Sequence, residues 1–150
     1  ETMWAEALKL LKLICDTMFQ VQVTVQKPID EVWENFTNPV HVTKWNFAAD
    51  SWECPKATND LKVSGKFSYT MAAKDKSFQF DFNGEYFDLK LHERIAYKME
   101  GGRIVYVYFE ETENGVVITE LAEKETENPV EMQIDGWQAI LENFKKYCVT

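Results

Sequence analysis

Residues 19–45 read FQVQVTVQKPIDEVWENFTNPVHVTKW, and a change of period inside this stretch decides the fold. Phe19, Val21, Val23 and Val25 alternate with Gln20, Gln22, Thr24 and Gln26, the two-residue repeat of a strand with one buried face. Pro28 then suits the first turn of a helix, and Asp30 and Glu31 complement its dipole. This first short helix carries Val32, Trp33 and Phe36. Asn38-Pro39 breaks it, because a residue before proline is driven out of the helical region, and opens a second short helix ending near Trp45.

Downstream, the spacing predicts strands over 51–54, 62–72, 77–90, 94–100, 103–111 and 116–123, joined by short polar turns such as Gly101-Gly102 and Glu113-Asn114-Gly115. The sheet is expected to be antiparallel throughout. Asn128-Pro129 starts the longest helix, running to about Tyr147 with Val130, Ile134, Trp137, Ile140, Leu141 and Phe144 along one side. A strand, two short helices, a run of antiparallel strands and one long helix give an α+β class domain in which a curved sheet wraps the terminal helix. Upstream, residues 3–18 are helical by period: Trp4, Ala7, Leu8, Leu10, Leu11, Ile14, Cys15 and Met18 share one half of the circumference, and Glu6, Lys9, Lys12 and Asp16 the other. The chain therefore divides into an additional amphipathic helix, 1–18, and one domain, 19–150.

The acidic residues are dispersed and the formal charge is −9, so no basic stripe is available to follow a phosphate backbone. Cys15, Cys54 and Cys148 are odd in number and widely spaced, fitting neither a disulfide framework nor a zinc site; a reducing, cytoplasmic setting is expected. The apolar stretch Ala7 to Cys15 is interrupted by Lys9 and Lys12 and is too short to span a bilayer, so neither a signal peptide nor a membrane anchor is expected.

The segments Pro28-Ile29-Asp30-Glu31-Val32-Trp33, Phe36-Thr37-Asn38-Pro39, Lys44-Trp45, Leu61-Lys62-Val63-Ser64-Gly65-Lys66-Phe67, Glu93-Arg94-Ile95-Ala96-Tyr97, Val107-Tyr108-Phe109-Glu110, Gln133-Ile134-Asp135-Gly136-Trp137 and Leu141-Glu142-Asn143-Phe144 follow one another in a telling order. In that order and spacing, residues 19–148 resemble the START-like (SRPBCC, helix-grip) superfamily, nearest the branch similar to activators of the heat-shock-protein-ninety ATPase and to polyketide cyclases. The resemblance implies a helix-grip fold with a hydrophobic cavity between sheet and terminal helix, and ligands that vary widely; it implies no single reaction. Ser64 stands where the family often has a second glycine, and residues 1–18 have no counterpart in the family pattern.

The expected pocket residues are Trp45, Phe67, Tyr69, Phe80, Phe82, Tyr97, Phe109, Trp137 and Leu141, an apolar set in which Tyr69 and Tyr97 are the polar handles. A filled core is the alternative use of the same rings. Asp81 and Glu85 fall on the face opposite Phe80 and Phe82 and read as solvated carboxylates, and His41 and His92 read as surface residues with no metal-ligand spacing around them. No nucleophile elbow, phosphate-binding loop or cofactor motif is present, so neither catalytic residues nor a cofactor are assigned.

Three functions remain. The first is binding of a small hydrophobic molecule without chemistry; the second is a cyclase-like enzyme, which also requires a group of shifted pKa in the pocket. The third is an engineered START-like scaffold that presents its N-terminal helix to a protein partner. Ala7, Leu11, Ile14 and Met18 form the row that helix-in-groove ligands use, and residues 11–16 resemble in part the third homology motif of the Bcl family, whose aspartate corresponds to Asp16. For that helix, packing on its own sheet or in a homodimer is the competing expectation.

Overall fold

The computed structural model describes Glu6 and residues 16–150. Strand β1 (Met18–Val25) leads into helix α1 (Ile29–Thr37) and helix α2 (Pro39–Trp45), followed by β2 (Trp52–Asn59), β3 (Lys66–Ala73), β4 (Gln79–Lys90), β5 (Arg94–Met99), β6 (Ile104–Thr112), β7 (Gly115–Glu123) and helix α3 (Val130–Cys148). The strands form one seven-stranded antiparallel sheet in the order β1-β7-β6-β5-β4-β3-β2, curled around α3. From β2 onward every connection is a hairpin; the exception is β1, which pairs with β7 at the far edge while α1 and α2 carry the chain back to β2.

The helical excursion is fixed by a few polar contacts. Pro28 is extended and its carbonyl accepts the Val32 amide, starting α1; Asn38, extended ahead of Pro39, ends α1 and caps α2 by accepting from the Val40 amide at 3.0 Å. The Trp45 indole then donates to the Asn35 carbonyl at 2.8 Å, setting the angle between the two helices. At the other end of the core the Gln138 amide hydrogen-bonds both backbone groups of Gln22, accepting at 3.3 Å and donating at 3.0 Å. That side chain occupies edge positions of β1 which a further strand would otherwise need to satisfy.

The sheet curls through irregularities. In β4 the register slips between Tyr86 and Asp88, so Phe87 is extra; Leu89 consequently returns to the inner face opposite Ile95 while Asp88 stays outside, bound by the Arg94 guanidinium at 2.6 Å. Residues 62–65, expected to open β3, form a turn instead. Ser64 has φ 70°, the left-handed backbone that favours glycine, and a Cβ on Gly65 would lie 2.0 Å from the Asp60 carbonyl oxygen. The first hairpin strand is also longer than expected, running on to Asn59, and β4 starts at Gln79 rather than Ser77.

Met18 does not complete a helical row: it opens β1, paired with Glu123, and the Lys124 amide donates to the Thr17 carbonyl just before it. Asp16 is exposed and helical, whereas Ala7, Leu11 and Ile14 lie outside the described residues. The histidines are half-buried rather than superficial. His41 Nδ1 lies 2.6 Å from the Tyr147 hydroxyl, and His92, at φ 65°, meets the Trp33 ring edge-on.

Candidate functional site

The inner face of the sheet is not packed solid. Between β3, β4, β5 and β7 on one side and α3 on the other lies a cavity of about 440 Å³, closed at its inner end by Phe36 of α1 and Trp45 of α2. Phe67 is the centre of its aromatic wall, with ring centroids 4.9 Å from Tyr69, 5.8 Å from Phe82, 5.4 Å from Tyr86 and 4.9 Å from Tyr97. This ring can lie against the sheet because its neighbour in β4 is Gly84, where a Cβ would come within 2.4 Å of the Phe67 ring. Trp137 and Ile140 supply the helix wall, where the Trp137 ring meets Phe82 edge-on at a centroid distance of 6.2 Å. Both are half-buried, and Trp137 also packs edge-on against Phe19 at 5.5 Å.

Of the nine residues expected in the pocket, Trp45, Phe67, Tyr69, Phe82, Tyr97 and Trp137 line the cavity, and Phe80 borders it while 42% exposed. Phe80, Phe78 and Trp52 form a surface cluster of rings at 6.0–6.2 Å spacings. Phe109 and Leu141 do not reach the cavity. α1 wedges Trp33 and Phe36 against Phe109 at 5.0 and 5.4 Å, and Phe144 packs on Phe36 and Trp45, so that end of the sheet is a filled core in which Leu141 is 1% exposed. Cavity and filled core thus coexist along one helix, Trp137 and Ile140 facing the first and Leu141 and Phe144 the second. Asp81 and Glu85 are exposed, with Asp81 accepting from the Thr70 hydroxyl.

The two tyrosines differ. Tyr69 donates to Tyr86, which donates to Asn59 Oδ1 at 2.6 Å, and Asn59 in turn donates to the Thr37 carbonyl at 2.7 Å. That chain ties β4, β2 and α1 together, and it satisfies Tyr69 internally. Burial pushes the Tyr86 phenol up to about 12 and holds Tyr69 well above the ordinary range. Tyr97 makes no hydrogen bond among the described residues; burial, then the nearby Glu120, keeps it strongly protonated.

Glu120 is the polar group that the aromatic pattern did not point to. It stands on β7 in the inward row Val116, Ile118, Glu120, Ala122, directly between Val21 of β1 and Val107 of β6, and is 9% exposed. It has no hydrogen-bond or ion-pair partner among the described residues, and burial alone raises its carboxyl to about 8. The signal was present in the sequence as a carboxylate on the buried side of an otherwise clean two-residue repeat. Arg103, just ahead of β6, borders the cavity and donates to the Glu123 carbonyl at 3.2 Å. Glu125 follows β7, and its backbone is held by Gln133, whose side chain bonds both the amide and the carbonyl.

Among the described residues no group of three or more His, Cys, Asp or Glu side chains is placed to hold a metal ion, and no helix is long and apolar enough to cross a membrane. Cys54 and Cys148 are free thiols, buried and raised in pKa by that burial.

The family described as Activator of Hsp90 ATPase homolog 1-like protein matches residues 26–148. Among solved structures, an AHSA1-like protein from Aeromonas hydrophila is 34% identical with a TM-score of 0.82, over 87% of this chain and 90% of that one. A protein from Cytophaga hutchinsonii is 44% identical with a TM-score of 0.76, over 85% and 89%. A protein from Nitrosomonas europaea shares the fold alone, at 16% identity and a TM-score of 0.76 over 87% and 93%. No curated protein matches the chain.

Proposed function

The chain belongs to the Activator of Hsp90 ATPase homolog 1-like family, a part of the helix-grip superfamily, and we propose that it works as a carrier or sensor of a small, largely apolar molecule held between the sheet and α3. The observation that carries this reading is the cavity of about 440 Å³, walled by Phe67, Phe82, Tyr97 and Trp137. A core of this chain length gains stability by filling such a space, since each buried CH₂ is worth about 0.8 kcal/mol. A void bordered by rings and a few polar groups is instead the common form of a small-molecule site.

Binding takes precedence over catalysis because the chemistry needs more than one group. Glu120 has the raised carboxyl that acid–base chemistry requires, yet no nucleophile or second base is hydrogen-bonded to it among the described residues. The cyclase-like alternative therefore rests on a single side chain.

The test is a fluorescence titration with the uncharged dye N-phenyl-1-naphthylamine. Saturable one-to-one binding that quenches tryptophan emission is expected, with the quenching reduced in Trp137→Ala to what Trp45 contributes. Linear, non-saturating dye uptake, or a Trp137→Ala protein that responds like the parent, contradicts the reading.

A further inference from the structure

We infer that the molecule held in this cavity carries one basic nitrogen, and that its protonated amine sits against the Glu120 carboxyl beside the Tyr97 phenol. This rests on the proposed reading of the cavity as a ligand site. Three observations on the molecule lead to it.

The first is that Glu120 is buried without a partner. Its cross-strand neighbours are Val21 and Val107, both essentially inaccessible, so nothing on β1 or β6 compensates a charge at its oxygens. An unpaired carboxyl on an inner strand face costs several kcal/mol whenever it ionises, and an apolar residue there would pack without that penalty. A ligand cation supplies the missing partner.

The second is the make-up of the surroundings. Tyr97 on β5 lies close enough to feel the Glu120 charge, and its phenol has no acceptor of its own within the described residues. The Phe67 and Phe82 rings meet the Tyr97 ring in T-shaped pairs, with centroids 4.9 and 6.2 Å away, and aromatic rings lining a site attract an ammonium group through their faces.

The third is the sign of the field. The charged residues bordering the cavity are Asp81, Glu100, Glu120 and Glu125 against Arg103 alone, in a chain of formal charge −9. The Arg103 guanidinium acts on Tyr97 but is engaged at the Glu123 carbonyl, and α3 contributes Trp137 and Ile140 to the space. The interior thus holds one inward carboxyl in a negative surround, which favours a cation over an anion.

Because burial keeps Glu120 protonated near neutrality, seating an ammonium ion beside it drives the carboxyl to ionise and to release its proton to solvent. A neutral ligand of the same shape releases none. The proposal is therefore tested by calorimetric titration at pH 7 with three probes of one skeleton: 2-naphthylmethylamine, 2-naphthalenemethanol and 2-naphthoate. Running each in two buffers of different ionisation enthalpy counts the protons.

The amine is expected to bind at least tenfold more tightly than the alcohol with release of close to one proton, and the naphthoate most weakly. Glu120→Gln is expected to lower amine affinity to that of the alcohol and to abolish the proton release, with a cooperative urea transition showing that the variant is folded. Equal binding of amine and alcohol overturns the inference, as does a preference that survives Glu120→Gln or naphthoate as the tightest ligand, which would place recognition at Arg103. Should none of the three bind, the ligand-site reading itself fails, and the inference with it.

Discussion

Replacing Glu120 with glutamine should change how stability depends on pH, in a direction the structure fixes. The Glu120 carboxyl titrates near its ordinary value of 4.5 when unfolded and at about 8 in the fold, because burial penalises its charged form. The folded state therefore binds the proton more tightly than the unfolded state. The group's contribution is fully present below about pH 4.5, is lost progressively as pH rises through 8, and stays lost above it. One pKa unit corresponds to about 1.4 kcal/mol, so the span sets an upper bound on the order of 5 kcal/mol. Glutamine keeps the shape and cannot ionise. Urea unfolding of parent and Glu120→Gln at successive pH values from 4.5 to 9, each with an unchanged m-value, isolates the difference. The parent should lose ground to the variant by about 1.4 kcal/mol per pH unit up to pH 8 and then run parallel to it. Parallel curves across the whole range would refute the buried, unpaired state of this carboxyl.

Two further outcomes follow from the packing. Gly84→Ala drives a methyl group into the Phe67 ring, against the sheet and with Tyr97 3.2 Å away, so it should cost about 1–3 kcal/mol in urea unfolding and weaken dye binding, whereas the same change at Gly136, which meets nothing within 4 Å, should not. Among the described residues, deleting residues 1–17 removes the hydrogen bonds of Lys124 to the Thr17 and Asp16 carbonyls and leaves β1 whole; a single cooperative thermal transition should remain, and its disappearance would show that residues ahead of Met18 belong to the core.

Much of this architecture was legible in local signals. The alternation from Phe19 to Gln26, the break at Asn38-Pro39 and the apolar side of residues 130–147 each correspond to an element within one or two residues, because in each case side-chain period and backbone chemistry agree. The departures occur where tertiary contacts override local pattern. Residues 62–65 have strand-like composition, but the hydrogen bond from the Ser64 amide to the Tyr86 carbonyl and the left-handed backbone at Ser64 hold them in a turn. Period alone could say which rings face inward; it could not say which of them find packing partners. Phe109 meets Trp33 and Phe36, which arrive from α1, whereas Phe82 and Trp137, though in edge-on contact with each other, also line the cavity. Tyr69 looked like a ligand handle and is instead consumed by a chain that reaches Asn59, a residue ten positions away on another strand. Glu120 was visible as an anomaly in the repeat of β7, whereas the aromatic residues that suggest a pocket lie mainly on β3 and β4.

An apolar molecule bound by this protein should sit between the sheet and α3. With methyl-labelled protein and N-phenyl-1-naphthylamine, nuclear Overhauser contacts should connect the dye to Ile140, Ile95 and Met71, which border the cavity, and spare the exposed Leu61, Val63 and Leu91. Contacts confined to those exposed methyl groups, with Ile140 and Ile95 unperturbed at saturation, would contradict it.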